Sequence, residues 1–304
     1  MSTLFTHFFK KINQISPLEA KFTEVLASIA VMPKTLYFYG KIPENMVLKR
    51  PPVVAIVGSR HNTRYGEEVA YKLAYELGKH GVIVISGLAF GIDSIGHRGC
   101  LDAGGITIAV LGTPIDEIYP RKHKGLAAEI IEKDGAIISE YAPGAKIHPK
   151  VSFLERNRII SGLSDIVVVV EAAERSGSLN TATHALEQGK EVFAVPGNIT
   201  SPYSQGCNKL IKEGALPYTE PDDVLRILFP EEYTKKYKKA KKQGLIGDND
   251  VETAILTALS EGLRSGDEIM RKTKLPPEVF NQSVTMLEIK GRIRSLGMNN
   301  WGLC

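Results

Sequence analysis

The chain has 304 residues, 43% of them hydrophobic, and a formal net charge of +4. This length allows one large domain and a smaller one, and a charge so close to balance gives no argument by itself for an anionic partner. Three widely spaced cysteines form no CxxC pair, and no apolar run approaches the ~20 residues that span a bilayer. We therefore expect a cytoplasmic protein without disulfides, bound metal or a membrane segment.

The first 45 residues predict a short helical extension. Ser16, Pro17 and Glu19 form the pattern of a capping box with proline at the first helical position, so a short helix is expected there. Lysines interrupt the segment before it, so no signal peptide is expected. The stretch "PKTLYFYG", residues 33–40, is expected to be extended and to lead into the main domain.

A regular alternation begins at residue 53. Six apolar runs follow one another, namely "VVAIVGS", "VIVISG", "ITIAVLG", "AIISEY", "DIVVVVEA" and "EVFAVPG". Segments with helical periodicity separate them. Unbroken apolar strands alternating with amphipathic helices indicate a parallel sheet covered on both faces. We predict a Rossmann-like, doubly wound α/β domain over residues 46–229.

Two further segments follow this domain. Residues 230–249 are predicted to be a linker, because lysines crowd there without an apolar face; an auxiliary phosphate-contacting segment is the alternative. Residues 250–304 predict three short helices and a small hairpin, which indicate a winged helix. Its would-be recognition helix, from Pro276 to Lys290, is poor in base-reading arginines. Protein contacts and weak duplex contacts therefore both remain open for it.

The loops after the predicted strands share one composition. Because ligands of open parallel sheets bind outside the carboxyl ends of the strands, these loops are expected to lie together. They contain small residues (Gly58, Ser59, Gly87, Gly91, Ser176, Gly177, Ser178), basic residues (Arg60, Arg64, Lys146, Lys150, Arg156, Arg158, Arg175) and aromatic residues (Tyr65, Phe90, Tyr119, Phe153). Any one glycine is explained by a tight turn, but the combined set predicts binding of a phosphate backbone. Neither GxGxxG nor a GK[ST] P-loop occurs, so no NAD, ATP or other cofactor is indicated.

Several motifs occur together in a characteristic order and spacing. They include "IVGSR", "SGLAFGID", "SEYAPG", "FLERNRIISGLSDIVVVVEA" and "SGSLNTATHALEQGKEVFAVPG". From about residue 33 to 229 the chain resembles the DNA-processing protein A family (DprA, also called Smf), and its C-terminal module is similar to the winged helix of many members. The family usually has a fuller helical domain before the Rossmann-like domain. In this chain only the short helix predicted near Ser16 occupies that place.

The resemblance implies a function without enzymatic activity. It implies a homodimer, formed through the Rossmann-like domain, that binds single-stranded DNA. Such a dimer protects incoming DNA and loads RecA recombinase onto it during natural transformation and recombination. The arginine of the family's GSR motif corresponds to Arg60. The basic and aromatic residues near the start of the FxxRNR segment correspond to Lys150 and Phe153.

The segment Phe153 to Arg158 fits this expectation. A single strand needs cations for its phosphates and a π-surface for its bases, and Phe153, Arg156 and Arg158 supply both. The two arginines are expected to contact successive phosphates, and Asn157 a base edge or a neighbouring loop. Two alternatives remain: Phe153 anchors the core of its helix, or an arginine pairs with Glu140 or Glu171.

An enzyme is the rival interpretation. The stretch "SGSLNTATHALE" also resembles LOG-type nucleotide phosphoribohydrolases, which cleave a base from a ribose phosphate. The acids available at the predicted sheet edge are Asp93, Asp116, Glu140, Glu171 and Glu187. The PGG of the LOG motif is missing, so this interpretation ranks below a binding protein, as does a sensor of a small nucleotide.

Overall fold

The computed structural model describes residues 9, 11–43, 50–231 and 247–303. Contacts divide the chain into two compact units, the first ending at Leu228 and the second beginning at Phe229. Most of the predicted lysine-rich linker, residues 232–246, lies outside the described residues.

The first unit is an α/β structure. Its strands are β1 (Asn13–Ile15), β2 (Leu36–Gly40), β3 (Val53–Val57), β4 (Ile83–Ser86), β5 (Thr107–Val110), β6 (Ala136–Ser139), β7 (Ile166–Val169), β8 (Glu191–Ala194) and β9 (Leu216–Pro217). Its helices are α1 (Lys21–Glu24), α2 (Arg64–Lys79), α3 (Ile92–Asp102), α4 (Lys124–Glu132), α5 (Pro149–Leu163), α6 (Gly177–Glu187), α7 (Gln205–Lys212) and α8 (Pro221–Leu228).

These strands form one sheet in the order β1-β2-β6-β5-β4-β3-β7-β8-β9. Seven neighbouring strands run parallel to one another, in the order β6, β5, β4, β3, β7, β8 and β9. Strand β2 pairs antiparallel with both β6 and β1. Every residue of β3 and β7 is buried, because helices pack on both faces. The core of one face contains Ile159 and Ala182 from α5 and α6, and the core of the other contains Leu101 and Ile130 from α3 and α4. The mostly parallel sheet confirms the predicted fold class.

The N-terminal region differs from the predicted helical extension. The capping box at Ser16 is present, with the Ser16 amide donating to Glu19 Oε2 at 3.0 Å. It starts only a three-residue 3-10 turn, and α1 has four residues. The extended segment instead becomes β2, which buries Leu36 and Tyr39. Its pairing with β6 makes the region part of the main sheet.

The chain reverses direction across the sheet beside β3. From β3 it steps outward through β4 and β5 to β6, and it then returns to β7 on the other side of β3. Val57 and Val169 end these two adjacent strands in register. Ligands of open α/β sheets bind at such a reversal, outside the carboxyl ends of the strands.

The second unit is a winged helix, as predicted. It contains α9 (Asp250–Ser260), α10 (Gly266–Thr273), α11 (Pro277–Ile289), β10 (Ile293–Gly297) and β11 (Asn300–Leu303). Ile255, Leu259, Ile269, Phe280 and Leu287 form its core. The two strands pair as a hairpin after the third helix, which is the order of elements in a winged helix.

Across the described ranges, no helix has the length and apolar character needed to cross a membrane. Cys100 and Cys207 are buried free thiols. No cluster of histidine, cysteine and acidic side chains in these ranges is suited to a metal ion.

Candidate nucleic-acid interface

A cavity of about 460 Å³ opens where the chain reverses between β3 and β7. We call it the switch-point cavity. The predicted site residues in its lining are Gly58, Ser59, Arg60, Phe153, Arg156, Asn157, Ser176, Gly177 and Ser178. A small adjoining cavity is lined by Gly87 and Phe90, together with Arg60, Phe153 and Arg156 from the first. Loops that are distant in sequence therefore meet at one edge of the sheet.

Phe153 lines both cavities and is half-buried. One side of the ring packs against Gly112, where a Cβ atom would come within 2.6 Å of Phe153 Cδ1. The exposed side chain of Arg60 places its Cζ 5.6 Å from the ring centroid. The ring of Tyr119, 44% exposed, lies 5.5 Å away. An accessible cation and an aromatic surface thus stand side by side.

Arg156 does not have the exposed position expected of a phosphate contact. Its side chain is buried, and Nη1 donates to the carbonyl oxygens of Gly87, at 2.9 Å, and Val110. Burial lowers the pKa of its guanidinium to about 10, although the negative charge of Asp93 opposes this shift. A Cβ at position 87 would come within 2.5 Å of the Arg156 Cζ, so the guanidinium keeps this position only beside a glycine. Arg156 therefore fixes the loop after β4 from beneath the cavity.

The same loop is held by two further groups. Asp93 is buried and accepts hydrogen bonds from the amides of Gly87, at 3.0 Å, and Ala89, at 3.4 Å. Leu88 adopts a left-handed φ of 58°, which is costly for a branched side chain, and its carbonyl accepts from His123 Nδ1–H at 2.8 Å. These contacts hold the backbone that presents Phe90, whose ring is 41% exposed.

Asn157 bonds to a neighbouring helix start. Its Nδ2 donates to the Gly177 carbonyl at 3.3 Å and to Asn180 Oδ1 at 3.1 Å. Ser176 caps this helix by accepting from the Ser178 amide at 3.4 Å. A Cβ at Gly177 would meet nothing within 4 Å, so packing does not require glycine there. The open backbone at the start of α6 thus faces the cavity.

Arg158 lies outside the cavity lining and takes the alternative role considered for it. Its Nη2 forms an ion pair with Glu140 Oε2 at 2.7 Å, and both side chains are largely buried. Its Nε donates to the Val31 carbonyl at 2.9 Å. Because α5 turns about 100° per residue, Arg158 faces away from the direction of Arg156. These contacts therefore link α5 to the loop after β6 and to the N-terminal region.

Lys150 is exposed in the first turn of α5 and lines neither cavity. No ion pair is formed by Lys150 within residues 50–231 or the other described ranges. Its ammonium group is thus available to an anion bound near the start of α5.

The acids of the rival enzyme interpretation have structural partners. Glu171 accepts from the Thr63 amide at 2.8 Å and from Thr63 Oγ1 at 2.6 Å. Glu140 pairs with Arg158, Asp116 accepts from the Gly144 amide, and the exposed Glu187 pairs with His184. Asp93 lines the cavity, and burial raises the pKa of its carboxyl against the opposing charge of Arg156.

Sequence reasoning missed the neighbourhood of His123. It favoured helix-capping over catalytic roles for the acids at this edge, and the amide contacts described above give such a role to Asp93. Its place in the first turn of a helix, after a glycine, was the available signal, since such a residue often accepts from nearby amides. His123 lies thirteen residues after the end of β5. Nothing in its local sequence indicates that it supports the loop after β4.

Comparison with known proteins decides the family. The family model described as DNA recombination-mediator protein A matches residues 13–229, and the one described as DprA winged helix domain matches residues 239–297. The chain belongs to the DNA recombination-mediator protein A family. Membership places it among DNA-processing proteins that act in recombination.

Individual relatives agree with this assignment. The chain is 42% identical to DNA processing protein DprA of Streptococcus pneumoniae, over 71% of this chain and 74% of that protein. It is 49% identical to Protein Smf of Escherichia coli over 58% of this chain, but spans only 46% of Smf. Among solved structures, DprA of Helicobacter pylori matches with a TM-score of 0.63 and 31% identity, covering 73% of this chain and 97% of that one. That structure was reported for its single-stranded DNA binding mode.

Proposed function

We propose that this protein binds single-stranded DNA at the switch-point cavity and acts as a non-enzymatic mediator of recombination. The observation that carries the proposal is the exposed Arg60 guanidinium beside the Phe153 ring at the chain reversal. A single strand needs a cation for its phosphates and a π-surface for its bases, and this pair offers both within 5.6 Å.

The remaining cavity residues suit a phosphate backbone. Ser59, Ser176 and Ser178 bring hydroxyl groups, and the start of α6 at Gly177 is free of side-chain bulk. Amides at a helix start attract phosphate through unpaired donors and the helix dipole. Beneath them, the buried charge of Arg156 adds to the positive potential of the floor.

Two further parts of the proposal rest on family membership. We infer that the bound strand is protected and handed to the RecA recombinase, during natural transformation or recombination. We also infer that the protein works as a homodimer through its Rossmann-like unit. The reported single-stranded DNA binding of the H. pylori relative, whose chain is matched over 97% of its length, supports the ligand class.

Two observations favour this proposal over the rival functions. A LOG-like phosphoribohydrolase needs a free carboxylate at the substrate, whereas the acids at this edge are bonded to the protein. A sensor of a small nucleotide predicts tight binding of a monomer, whereas the paired cavities and aromatic surface fit a polymer.

A titration with fluorescent oligonucleotides tests the ligand. Single strands should bind more tightly than duplexes of the same length, and affinity should fall steadily with salt because phosphate contacts release counterions. The same preparation should release no free base from nucleoside monophosphates. Base release, or tight binding of a mononucleotide with no gain for a longer strand, contradicts the proposal.

A further inference from the structure

A second cavity, of about 1010 Å³, lies on the α2 and α3 side of the same sheet edge. We call it the lateral groove. Its lining comes from one face of α2, from α3, and from the segment that opens α4. Tyr71, 37% exposed, gives it an aromatic surface. None of its lining residues lines the switch-point cavity.

Two rings in edge-to-face contact connect the lateral groove with the proposed binding site. Phe90 lines the small cavity that shares Arg60 and Phe153 with the switch-point cavity. Its ring contacts His123 edge-on at 4.8 Å, and His123 lines the lateral groove. Because His123 is tied to the Leu88 carbonyl, this connection has a fixed position. A continuous surface therefore leads from Phe153 across Phe90 and His123 into the groove.

The groove presents exposed cations. Arg64, Lys72 and Lys122 are exposed, and none of the three forms an ion pair within the part of the chain that the structure describes. Arg98 is different, since Glu129 accepts from its Nη1 through both carboxylate oxygens, at 2.8 and 2.7 Å.

The distribution of charge also selects a side of the groove. Glu67 and Glu68 lie on the α2 side and repel phosphates. On the opposite side Lys122 is flanked by the exposed residues Arg121 and Lys124. This distribution of charge favours phosphates on the side of Lys122, while Arg64 and Lys72 line the groove from α2.

We propose that a single strand longer than the switch-point cavity can hold continues across Phe90 and His123 into the lateral groove. Its phosphates contact Arg64, Lys72 and Lys122, and bases stack on the exposed rings of Phe90 and Tyr71. The ligand class is a single-stranded polynucleotide, and the inference rests on the proposed function because it extends the same interface. The groove makes affinity depend on strand length.

The decisive variant is Arg64→Ala/Lys72→Ala/Lys122→Ala, compared with the wild type on two thymidine oligonucleotides. One has about four nucleotides and the other about 16, the range of site sizes known for single-strand binding domains. A charge-matched control, Lys41→Ala/Lys79→Ala/Lys133→Ala, removes three other positive charges near the amino edge of the sheet, where β2, α2 and α4 end. Of these, Lys41 and Lys79 pair with Asp134 and Glu76. Both variants therefore have the same net charge.

We expect the groove variant to bind the short oligonucleotide like the wild type and the long one more weakly. Each lost phosphate contact lowers the log–log salt slope by ~0.7, so three contacts amount to about 2 in slope and about 100-fold in affinity near 0.1 M salt. The control should bind both oligonucleotides like the wild type. Thermal unfolding should show that both variants are folded.

Three results overturn the inference. An unchanged affinity for the long oligonucleotide removes the groove from the path. An equal loss on both lengths assigns the three cations to the first site instead. If the control variant loses as much affinity for the long oligonucleotide as the groove variant, the loss comes from the change in net charge and not from the groove. The proposed function fails separately, if the wild type binds neither length or if Phe153→Ala binds both as the wild type does.

Discussion

The two units of the chain differ in the side chains that they expose. The winged-helix part of the second unit, residues 244–304, contains seven lysines and arginines and eight aspartates and glutamates, a net charge of −1. In the first unit, exposed cations stand beside exposed aromatic rings at one edge of the sheet. In the second, α11 carries Glu278 and Glu288 and no lysine or arginine, while Val279, Met286 and Ile289 are exposed.

This contrast shows that a fold name does not assign a function to each domain. A winged helix reads DNA when its third helix offers donors to base edges and phosphates. Here that helix offers carboxylates and apolar side chains, and Lys290 at its end is paired with Asp248 and Glu252 at 2.7 and 2.8 Å. The proposed interface therefore belongs to the first unit.

The largest effect that sharpens this contrast is expected at Arg156. Arg156→Ala removes a buried cation, leaves Asp93 without its compensating charge, and leaves the carbonyls of Gly87 and Val110 without a donor. Removing one partner of such a buried set costs about 3–5 kcal/mol. Denaturant unfolding of the first unit should show this loss.

The exposed Arg60 serves as the control for this measurement. Arg60→Ala should change the free energy of unfolding by less than about 0.5 kcal/mol, as is usual for surface substitutions. If the two variants are equally stable, Arg156 is not the structural anchor described above, and a direct contact with DNA becomes its better role.

The sequence predicted the class of structure and the loops that meet at one edge of the sheet, but not the direction of each side chain. Apolar runs such as "VVAIV" require burial on both faces, and the parallel sheet follows from their alternation with helices. Phe153, Arg156 and Arg158 share one short segment, and local sequence does not tell which neighbour each will meet. Their partners Gly112, Gly87 and Glu140 come from other loops. The role of β2 was missed because its antiparallel pairing with β6 depends on contacts between segments that are distant in sequence.

The next effect concerns affinity rather than stability. Phe153→Ala should weaken single-strand binding by ~1–3 kcal/mol, the value of one stacked base. The ring is half-buried against Gly112, so its loss should lower the free energy of unfolding by only about 1 kcal/mol. The salt slope should stay unchanged because no charge is removed. Fluorescence titration and thermal unfolding of the same samples separate the two quantities.

Phe153→Leu and Phe153→Tyr complete this series. Leucine keeps most of the packing without the π-face, so it should lose affinity like alanine while unfolding like the wild type. Tyrosine keeps the ring and should bind like the wild type. A large drop in melting temperature with unchanged affinity in the folded protein would make Phe153 an ordinary core residue.

A smaller effect is expected at two exposed cations. Arg60→Ala and Lys150→Ala should each lower the log–log salt slope by ~0.7 and weaken binding about 5-fold near 0.1 M salt, if each loses one phosphate contact. Arg60→Lys keeps the charge and should keep the slope. Lys133→Ala is the matched surface control. Since Lys150 lines neither cavity, an unchanged slope in Lys150→Ala alone would limit the interface to the cavity residues.

The smallest effect should follow the largest deletion. Removing residues 244–304 should leave single-strand affinity within about twofold of the full chain, because the deleted part has a net charge of −1 and contributes no net attraction for phosphates. The fragment 1–243 keeps the whole nine-stranded sheet, its two-sided core and every residue of the switch-point cavity. Its thermal unfolding should therefore remain cooperative.

Thermal unfolding of the fragment, and titration of fragment and full chain at two salt concentrations, test these two statements. A fragment that folds but loses tenfold or more in single-strand affinity would contradict the division between the units, because the winged helix would then supply contacts that its exposed acids and apolar side chains do not explain.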